Sequence, residues 1–228
     1  MFARSDFVEP KTAELLLVRH GETEWSADDR YASGTDISLS SRGREQAAAV
    51  ARWLLEQGLL PDRIISSNLW RAVESASIIA RQFEQGGMLK ASLEQVTGLR
   101  EVDFGPFEGR TFEDLSRVPE FQSWRRFDRP PDYPDGVEPY PSAADRFDTS
   151  LRRAGALEQR PQRLLVVCHS HVLRSWIIHK VLNCAGSNPN NLQIDTGSIT
   201  FVAAVAGDWR LHFLNLLPYL QEVTHEGS

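Results

Sequence analysis

The sequence predicts an α/β protein, a three-layer α/β/α sandwich around a mostly parallel central sheet. Three short apolar segments, "ELLLV" at 14–18, "RIISS" at 63–67 and "RLLVVCH" at 163–169, show no polar–apolar alternation. Such continuous runs are typical of parallel strands that are covered on both faces. A helical pattern follows each segment, and strand–helix alternation favours a parallel sheet with right-handed crossovers.

The helical patterns lie at 40–58, 67–87 and 171–186, and Gly58 is typical of a helix end. The apolar residues of the first two patterns share one face of each helix. They are Ala47, Val50, Ala51, Leu54, Ala72, Ala76, Ile79 and Phe83. A fourth strand at 198–205 precedes Gly207-Asp208 and "WRLHFLN", which together predict a terminal β-hairpin.

The composition is that of an ordinary globular protein. The chain has 228 residues, 41% of them hydrophobic, with a formal net charge of −6. This acidic balance argues against a general nucleic-acid surface. No apolar run approaches the roughly 20 residues of a membrane span, and we expect a cytoplasmic protein. Cys168 and Cys184 lie in apolar-rich segments and are expected to be small buried thiols.

We expect one domain over residues 1–228, with one unusual segment. Residues 116–146 contain half of the twelve prolines and several aromatic residues. This composition predicts an irregular, cap-like insertion that covers the site and shapes its specificity.

Polar residues end three of the predicted strands. Arg19-His20 follows the first, a segment carrying Arg71 follows the second, and His169-Ser170-His171 follows the third. The carboxyl ends of parallel strands meet at one sheet edge, where ligands bind. A neutral imidazole is a good nucleophile near pH 7, and guanidinium groups pair with phosphate oxygens. We therefore expect a phosphoryl-transfer site with His20 as its nucleophile, followed by a tight turn at Gly21.

Five motifs, in order, resemble those of the histidine phosphatase superfamily, also called phosphoglycerate mutase-like. They are "RHGETEW", "GTDISLSSRGREQA", "SSNLWRAVESA", "LREVDFGPFEG" and "VVCHSHVLRS", and they span roughly residues 15–215. The resemblance implies the phosphoglycerate mutase-like fold and phosphoryl transfer with no metal and no cofactor. It also implies a small phosphorylated substrate as partner.

The resemblance further implies a role for each matching residue. His20 matches the histidine that becomes phosphorylated, and Arg19 and Arg71 match the phosphate-binding arginines. Glu101 matches the carboxyl that protonates the leaving oxygen and then activates water. His169 matches the second histidine, which donates to the phosphoryl group in flight.

A general acid needs a raised pKa to hold its proton at neutral pH. We expect the aromatic side chains of Phe104 and Phe107 to raise the pKa of Glu101 by excluding water. Four further residues are candidate substrate contacts. They are Ser26, where the family often has Asn, Thr35, Ser170, where the family usually has Gly, and His171.

Two segments allow a second interpretation. His169 and His171 would share a face of a strand and could form a metal pair. No third and fourth ligands accompany them, so we predict no metal site. Trp124, Arg125 and Arg126 could contact substrate or form a solvated face, and we favour the solvated face.

Three functions fit these motifs. We favour a phosphatase over a cofactor-dependent phosphoglycerate mutase, because "EGRTFEDL" stands where mutases usually carry "LNK" after "EG". A non-catalytic module that binds a phosphorylated ligand is the third alternative. We expect no nucleic-acid or membrane partner. A homodimer is left open, because the terminal hairpin presents a strand edge.

Overall fold

The structure is a computed structural model and describes residues 11–87, 92–126, 133–156, 162–205 and 207–220. Its strands are β1 Lys11–Arg19, β2 Arg63–Ser66, β3 Leu93–Gln95, β4 Gln162–Cys168, β5 Ile199–Val205 and β6 Asp208–Leu216. Its α-helices are α1 Glu24–Ala27, α2 Ser41–Glu56, α3 Trp70–Gln85, α4 Phe112–Leu115, α5 Pro119–Arg126, α6 Tyr140–Arg153 and α7 Ser170–Trp176. Short 3₁₀ turns lie at Thr97–Leu99, Gly105–Phe107 and Pro189–Asn191, and a π turn at Ile177–Val181 extends α7.

The described strands form one sheet in the order β3-β2-β4-β1-β5-β6. β1 pairs with β4, β4 with β2 and β2 with β3 in parallel, whereas β5 is antiparallel to β1 and β6. The predicted mostly parallel sheet and terminal hairpin are confirmed. Because β1, β4 and β2 are adjacent and parallel, the segments that follow them meet at one sheet edge.

Helices cover both faces of the sheet, which explains the continuous apolar run of β1. Leu15 and Leu17 join a core shared with α6 and α7, whereas Leu16 and Val18 join a second core shared with α2 and α3. The helix positions predicted to face inward are all buried, namely Ala47, Val50, Ala51, Leu54, Ala72, Ala76, Ile79 and Phe83. No helix in the described ranges is long and apolar enough to span a bilayer.

The segment 116–146 is more regular than its composition predicts. It contains α5, which begins at Pro119, and the start of α6, whose cap is Pro139 and whose first turn includes Pro141. Proline is favourable in the first turn of a helix, because the N–H it lacks would have no helical acceptor there. The expectation of an irregular segment is therefore wrong for these parts, and residues 127–132 lie outside the described residues.

Three smaller differences concern helix and strand ends. α7 and its π turn stop at Val181 instead of continuing to residue 186. Cys168 is buried as predicted, but Cys184 lies beyond this helix end and is exposed. The sequence does not predict β3, because this strand has only three residues and two of them are exposed.

A buried carboxylate connects α6 to α7 and β6. Asp148 Oδ1 accepts hydrogen bonds from the indole N–H groups of Trp176 at 3.0 Å and Trp209 at 3.1 Å. Arg152 donates to the other carboxylate oxygen. Burial acts to raise the pKa of Asp148, but these hydrogen bonds and the Arg152 charge lower it, so the carboxylate is ionised at neutral pH.

Asp148→Ala should lower the free energy of unfolding by about 3 kcal/mol, because two buried indole N–H groups lose their acceptor. Asp148→Asn keeps one acceptor oxygen and should cost about 1 kcal/mol. Asp145→Ala on the same helix is the control, since it removes an exposed carboxylate paired with Lys180 and should cost less than about 0.5 kcal/mol. Urea unfolding followed by circular dichroism measures all three, and equal costs for both alanine variants would contradict this account.

Candidate active site

His20 follows β1 directly, and the backbone orients its ring. Its Nδ1 lies 2.7 Å from the carbonyl oxygen of Gly21. A carbonyl oxygen only accepts hydrogen bonds, so the proton resides on Nδ1 and the lone pair on Nε2. The His20 N–H donates to the Cys168 carbonyl at 3.0 Å, which fixes this residue beside the end of β4. This is the tautomer that attack by Nε2 requires.

Gly21 allows its backbone to lie close to the backbone of Gly43. The sequence predicts a tight turn at Gly21 instead. Its φ lies outside the left-handed region, but a Cβ atom there would lie 2.1 Å from Gly43 O. Reciprocally, a Cβ atom at Gly43 would lie 2.1 Å from Glu22 O. The Gly21 N–H donates to Ser75 Oγ at 3.0 Å, and the Ser40 N–H donates to Glu22 O at 2.9 Å. The loop after His20 is thus held against α2 and α3.

Arg71, in the first turn of α3, is held by backbone carbonyls. Its Nη1 donates to Thr35 O at 3.0 Å, and its Nη2 donates to Ala32 O at 3.1 Å and Ser33 O at 3.0 Å. The guanidinium is buried but remains charged, since arginine keeps its proton in proteins. This geometry fixes a positive charge that has no carboxylate in direct contact among the residues that the structure describes.

Glu108 binds the loop whose carbonyl groups accept hydrogen bonds from Arg71. The sequence analysis assigns Glu108 no role. Its Oε1 accepts from the Thr35 N–H at 2.8 Å and the Thr35 hydroxyl at 2.6 Å, and its Oε2 accepts from the Ser33 hydroxyl at 2.5 Å. Partial burial acts to raise the pKa of Glu108, but these hydrogen bonds lower it. Thr35, a candidate substrate contact, is therefore directed at Glu108 and contributes its carbonyl to Arg71.

The side chain of Glu101 is buried beside the first turn of α7. Its Oε1 accepts from the N–H groups of Val102 at 3.0 Å and Val172 at 2.8 Å, and its Oε2 accepts from the N–H of His171 at 3.1 Å. Three backbone donors therefore converge on one carboxyl group and hold it in place.

The surroundings of Glu101, above all the side chain of His171, overturn the expected raised pKa of Glu101. Phe104 and Phe107 are buried, and burial does act to raise the pKa of Glu101. Hydrogen bonds from His171 and the nearby imidazoles of His171 and His169 outweigh it, so the pKa of Glu101 lies well below 4.5 in the free protein. Glu101 is therefore a carboxylate until a ligand changes its surroundings.

The two histidines of "HSH" do not share a strand face. β4 ends at Cys168, His169 is the N-cap of α7, and His171 lies within α7. The ring centroids of His169 and His20 lie 5.1 Å apart. The ring of His171 instead stacks on Trp124, with 6.2 Å between the ring centroids. Within the described ranges, no three His, Cys, Asp or Glu side chains form a group that could hold a metal ion.

Seven buried polar atoms at this edge lack a hydrogen-bond partner among the described residues. They are Nε of Arg19, Arg71 and Arg174, both ring nitrogens of His169, Oγ of Ser170 and Nε2 of His171. Buried polar atoms are nearly always paired in folded proteins. The three guanidinium N–H groups among them are donors, and the hydroxyl and one nitrogen of each neutral imidazole can also donate. Such a cluster at one place indicates a ligand rich in acceptor oxygens.

A cavity of about 510 Å³ opens at this edge, a volume within the usual range for small-molecule sites. Its lining includes most of the predicted site residues, namely Arg19, His20, Ser26, Arg71, Glu101, Ser170 and His171. Ser26 commits its hydroxyl to a capping box, where it donates to Thr23 O at 3.0 Å and accepts from the Thr23 N–H at 2.8 Å. Ser170 is buried with its hydroxyl unpaired.

Other lining residues escaped sequence reasoning or were misjudged by it. The cavity wall includes Arg30, Tyr31, Phe112, Arg125, Arg174 and Asn190. The favoured solvated face for 124–126 is wrong for two of its three residues, because Trp124 is fully buried and Arg125 lines the cavity. The sequence predicts that Arg174 supports the helix or the pocket, and Arg174 does line the cavity.

Burial and neighbouring charge keep the His20 imidazole neutral. Burial lowers the pKa of His20 well below 6.5, and the positive charges of Arg71 and Arg19 lower it further. Burial and the Arg174 charge in turn lower the pKa of Arg19 from 12.5 to about 10, which leaves it charged at neutral pH. The geometry thus combines a free imidazole lone pair with two cations.

The ring of His20 should stay neutral on acidification from pH 8 to about 6, because its pKa lies well below that of a free imidazole, about 6.5. Its NMR signal, assigned by loss in His20→Ala, should not titrate over this range. Arg71→Met should move the midpoint upward, because a nearby positive charge is removed. Arg44→Met, which removes an exposed arginine on α2, is the control. A midpoint near 6.5 in the unmodified protein would contradict the assignment.

The sequence is similar to those of known proteins. A family model described as histidine phosphatase superfamily (branch 1) matches residues 15–217. Phosphoglycerate mutase-like protein 4 of Arabidopsis thaliana is 33% identical over 175 residues, which are 76% of this chain and 73% of that protein. The 2,3-bisphosphoglycerate-dependent phosphoglycerate mutase of Methylorubrum extorquens (strain PA1) is 30% identical over 168 residues, 72% of this chain and 77% of that protein.

Solved structures share the fold over nearly the whole chain. A mycobacterial glucosyl-3-phosphoglycerate phosphatase, solved with VO3, matches with a TM-score of 0.73 and 26% identity, covering 89% of this chain and 98% of that chain. A variant of the Entamoeba histolytica phosphoserine phosphatase, in complex with phosphoserine, matches with a TM-score of 0.75 and 25% identity, covering 91% and 99%. With the family match spanning β1 to β6, this chain belongs to the histidine phosphatase superfamily.

Proposed function

We propose that this protein is a phosphomonoesterase that hydrolyses small phosphorylated metabolites through a phosphohistidine on His20, without metal or cofactor. One observation carries the proposal. A neutral imidazole, with Nδ1 committed to the Gly21 carbonyl, lines the same cavity as the unpaired guanidinium donors of Arg19 and Arg71. A nucleophilic lone pair beside fixed cations is what attack on a phosphate dianion requires.

Arg19 and Arg71 bind the oxygens of the phosphoryl group. Backbone carbonyls hold each guanidinium, Arg19 through Ile194 O at 2.7 Å, and the Nε–H of each has no partner in the described part of the chain. Their charges offset the repulsion between the phosphate dianion and the approaching lone pair. His169, whose two ring nitrogens have no partner among the described residues, donates to a phosphoryl oxygen during transfer.

In the first step, His20 Nε2 forms a bond to phosphorus while the bond from phosphorus to the leaving oxygen breaks. The departing alkoxide requires a proton, and Glu101 supplies it. A phosphomonoester has a second pKa of about 6, so some substrate arrives as the monoanion. The negative charge of the bound phosphoryl group raises the pKa of Glu101, which takes up this proton and passes it to the leaving oxygen.

In the second step, Glu101 is again a carboxylate and acts as a base. It accepts a proton from a water molecule, whose oxygen forms a bond to phosphorus as the bond to Nε2 breaks. Inorganic phosphate leaves, His20 returns to its neutral form, and the proton on Glu101 is released. The three backbone N–H groups on Glu101 favour its anionic form and so assist this release.

A phosphoglycerate mutase is the second candidate, because curated relatives at 30–33% identity are named phosphoglycerate mutases or mutase-like. In a mutase, the phosphoryl group on His20 would pass to a second hydroxyl of the bound acid instead of to water. Solved structures named as phosphatases, at 25–26% identity, support the hydrolytic alternative.

Hydrolysis of p-nitrophenyl phosphate, with a chelator present, should fall at least about 10⁴-fold in His20→Ala, because the nucleophile is lost. Rapid quenching of the unmodified protein should trap an acid-labile, alkali-stable phosphoryl group that His20→Ala lacks. His212→Ala, which alters a histidine on β6, is the control. Retained turnover in His20→Ala would refute the nucleophile. Conversion of 3-phosphoglycerate to its 2-isomer after priming with 2,3-bisphosphoglycerate, faster than hydrolysis, would establish the mutase.

Glu101→Gln should show a strong dependence on the leaving group. The acid role is read from kcat/KM, which reports the phosphorylation step, because loss of the base in the second step lowers kcat for every substrate. Alkyl phosphates need the proton and should lose about 10²–10³-fold in kcat/KM, the usual size of a general-acid contribution. The p-nitrophenolate ion leaves without a proton, so p-nitrophenyl phosphate should lose less than about 10-fold in kcat/KM. Circular dichroism verifies that the variant is folded, and equal losses in kcat/KM in the folded variant would contradict the acid role of Glu101.

A further inference from the structure

The carbonyl of Gly21, which decides which nitrogen of His20 carries the proton, belongs to a peptide unit that is held at its other end. A peptide unit is planar, and in the trans form its C=O and N–H point in opposite directions. In the unit between Gly21 and Glu22, the carbonyl oxygen lies 2.7 Å from His20 Nδ1. The Glu22 N–H of the same unit donates to Gln46 Oε1 at 2.8 Å. Gln46 therefore contacts the same rigid plane as the His20 ring, from the opposite end.

The preceding peptide unit, between His20 and Gly21, is fixed at both ends without help from the His20 ring. His20 O accepts from the Gly197 N–H at 3.2 Å, and the Gly21 N–H donates to Ser75 Oγ at 3.0 Å. The next unit differs, because its carbonyl end meets the imidazole whose tautomer has to be set. Its orientation therefore depends on the contact at its N–H end, which Gln46 makes.

Glycine at position 21 makes such a contact necessary. A side chain there is excluded, because a Cβ atom would lie 2.1 Å from Gly43 O. Glycine, however, restricts the rotation of its two flanking peptide units less than any other residue does. Rotation of the plane between Gly21 and Glu22 would carry the carbonyl away from His20 Nδ1. A hydrogen bond at the far end of that plane opposes this rotation.

Gln46 is a polar residue on a buried, otherwise apolar face of α2. It lies in the second turn of the helix, and its side chain is buried. The Cβ of Gln46 packs against Gly197, where an added Cβ atom would lie only 2.7 Å away. An N–H group only donates, so the Gln46 amide presents its oxygen to Glu22. Burial of an amide is unfavourable unless it is hydrogen-bonded, and the Glu22 N–H supplies such a bond.

We propose that Gln46 is a positioning residue for the nucleophile, which fixes the peptide plane between Gly21 and Glu22 and thereby keeps the proton of His20 on Nδ1. Gln46 acts through one peptide unit and is not among the described residues that line the cavity. A neutral imidazole can carry its proton on either nitrogen, and attack by Nε2 requires the proton on Nδ1. The consequence for turnover rests on the proposed function, whereas the tautomer is a property of the free protein.

The tautomer can be read from ¹⁵N NMR of protein that is labelled in its histidines, at pH 8, where His20 is neutral. A ring nitrogen that carries a proton resonates far from one that carries a lone pair, and loss in His20→Ala assigns the two signals. In the unmodified protein, Nδ1 should give the protonated signal and Nε2 the unprotonated one. Gln46→Met keeps the length of the side chain and removes the acceptor. The two signals should then move towards each other, because both tautomers become populated.

Two further variants separate the contact from its surroundings. Gln46→Glu keeps an acceptor oxygen for the Glu22 N–H and should retain the tautomer of the unmodified protein. Gln57→Met makes the same substitution at the exposed end of α2 and should leave both signals in place. Melting temperatures verify folding. If Gln46→Met does not fold, Gln46→Asn replaces it, because this variant keeps a buried amide that is one methylene too short for the contact.

Turnover should follow the tautomer. The kcat/KM for p-nitrophenyl phosphate should fall about 10–100-fold in Gln46→Met, the usual loss when a group that orients a metal-binding histidine is removed. Gln46→Glu should recover most of this loss, and Gln57→Met should match the unmodified protein. A residue that only stabilises the fold would lower the melting temperature without changing the two nitrogen signals of His20.

Three results would overturn the positioning role. They are a mixed tautomer in the unmodified protein, an unchanged tautomer in the folded Gln46→Met or Gln46→Asn variant, and a mixed tautomer in that variant with an unchanged kcat/KM. Failure of the proposed function has a different signature, which is absence of p-nitrophenyl phosphate hydrolysis by the unmodified protein. In that case the nitrogen signals of His20 still decide whether Gln46 sets its tautomer.

Discussion

The proposed chemistry depends on one electrostatic constraint, which is that the imidazole of His20 stays uncharged beside the guanidinium groups of Arg19 and Arg71. Burial and the charges of Arg71 and Arg19 lower its pKa, and the Gly21 carbonyl selects which nitrogen carries the proton. The same guanidiniums are suited to bind an anion. In the proposed function, a single set of charges therefore keeps the His20 imidazole neutral for attack and attracts the phosphate, and backbone carbonyls hold those charges in place.

Much of this arrangement could be predicted from the sequence, and the reason is geometric. Strands covered on both faces need uninterrupted apolar residues, so the first polar residue after each strand marks the sheet edge. His20 and His169 are such residues, and Arg71 follows a few positions after β2. Because β1, β4 and β2 are parallel neighbours, these side chains had to approach one another, and the His20 and His169 rings lie 5.1 Å apart.

The remainder depends on contacts that leave no local pattern. The ionisation of Glu101 is set mainly by His171, through its side chain and its backbone N–H, about seventy residues away along the chain. Glu108 acts on Arg71 only through a loop that neither residue belongs to. Arg125 resembled a solvated residue because its helix begins at a proline within a proline-rich segment. In each case the contact depends on a backbone group or on a side chain far away along the sequence. Composition and motif spacing therefore do not indicate it.

The glycine contact between Gly21 and Gly43 has a consequence for motion. With their backbones in direct contact, and with the Gly21 and Glu22 N–H groups bonded to Ser75 and Gln46, the nucleophile's loop cannot shift without displacing α2 and α3. That side of the cavity is a rigid wall. Any opening for substrate entry and product release must therefore come from other parts of the cavity rim.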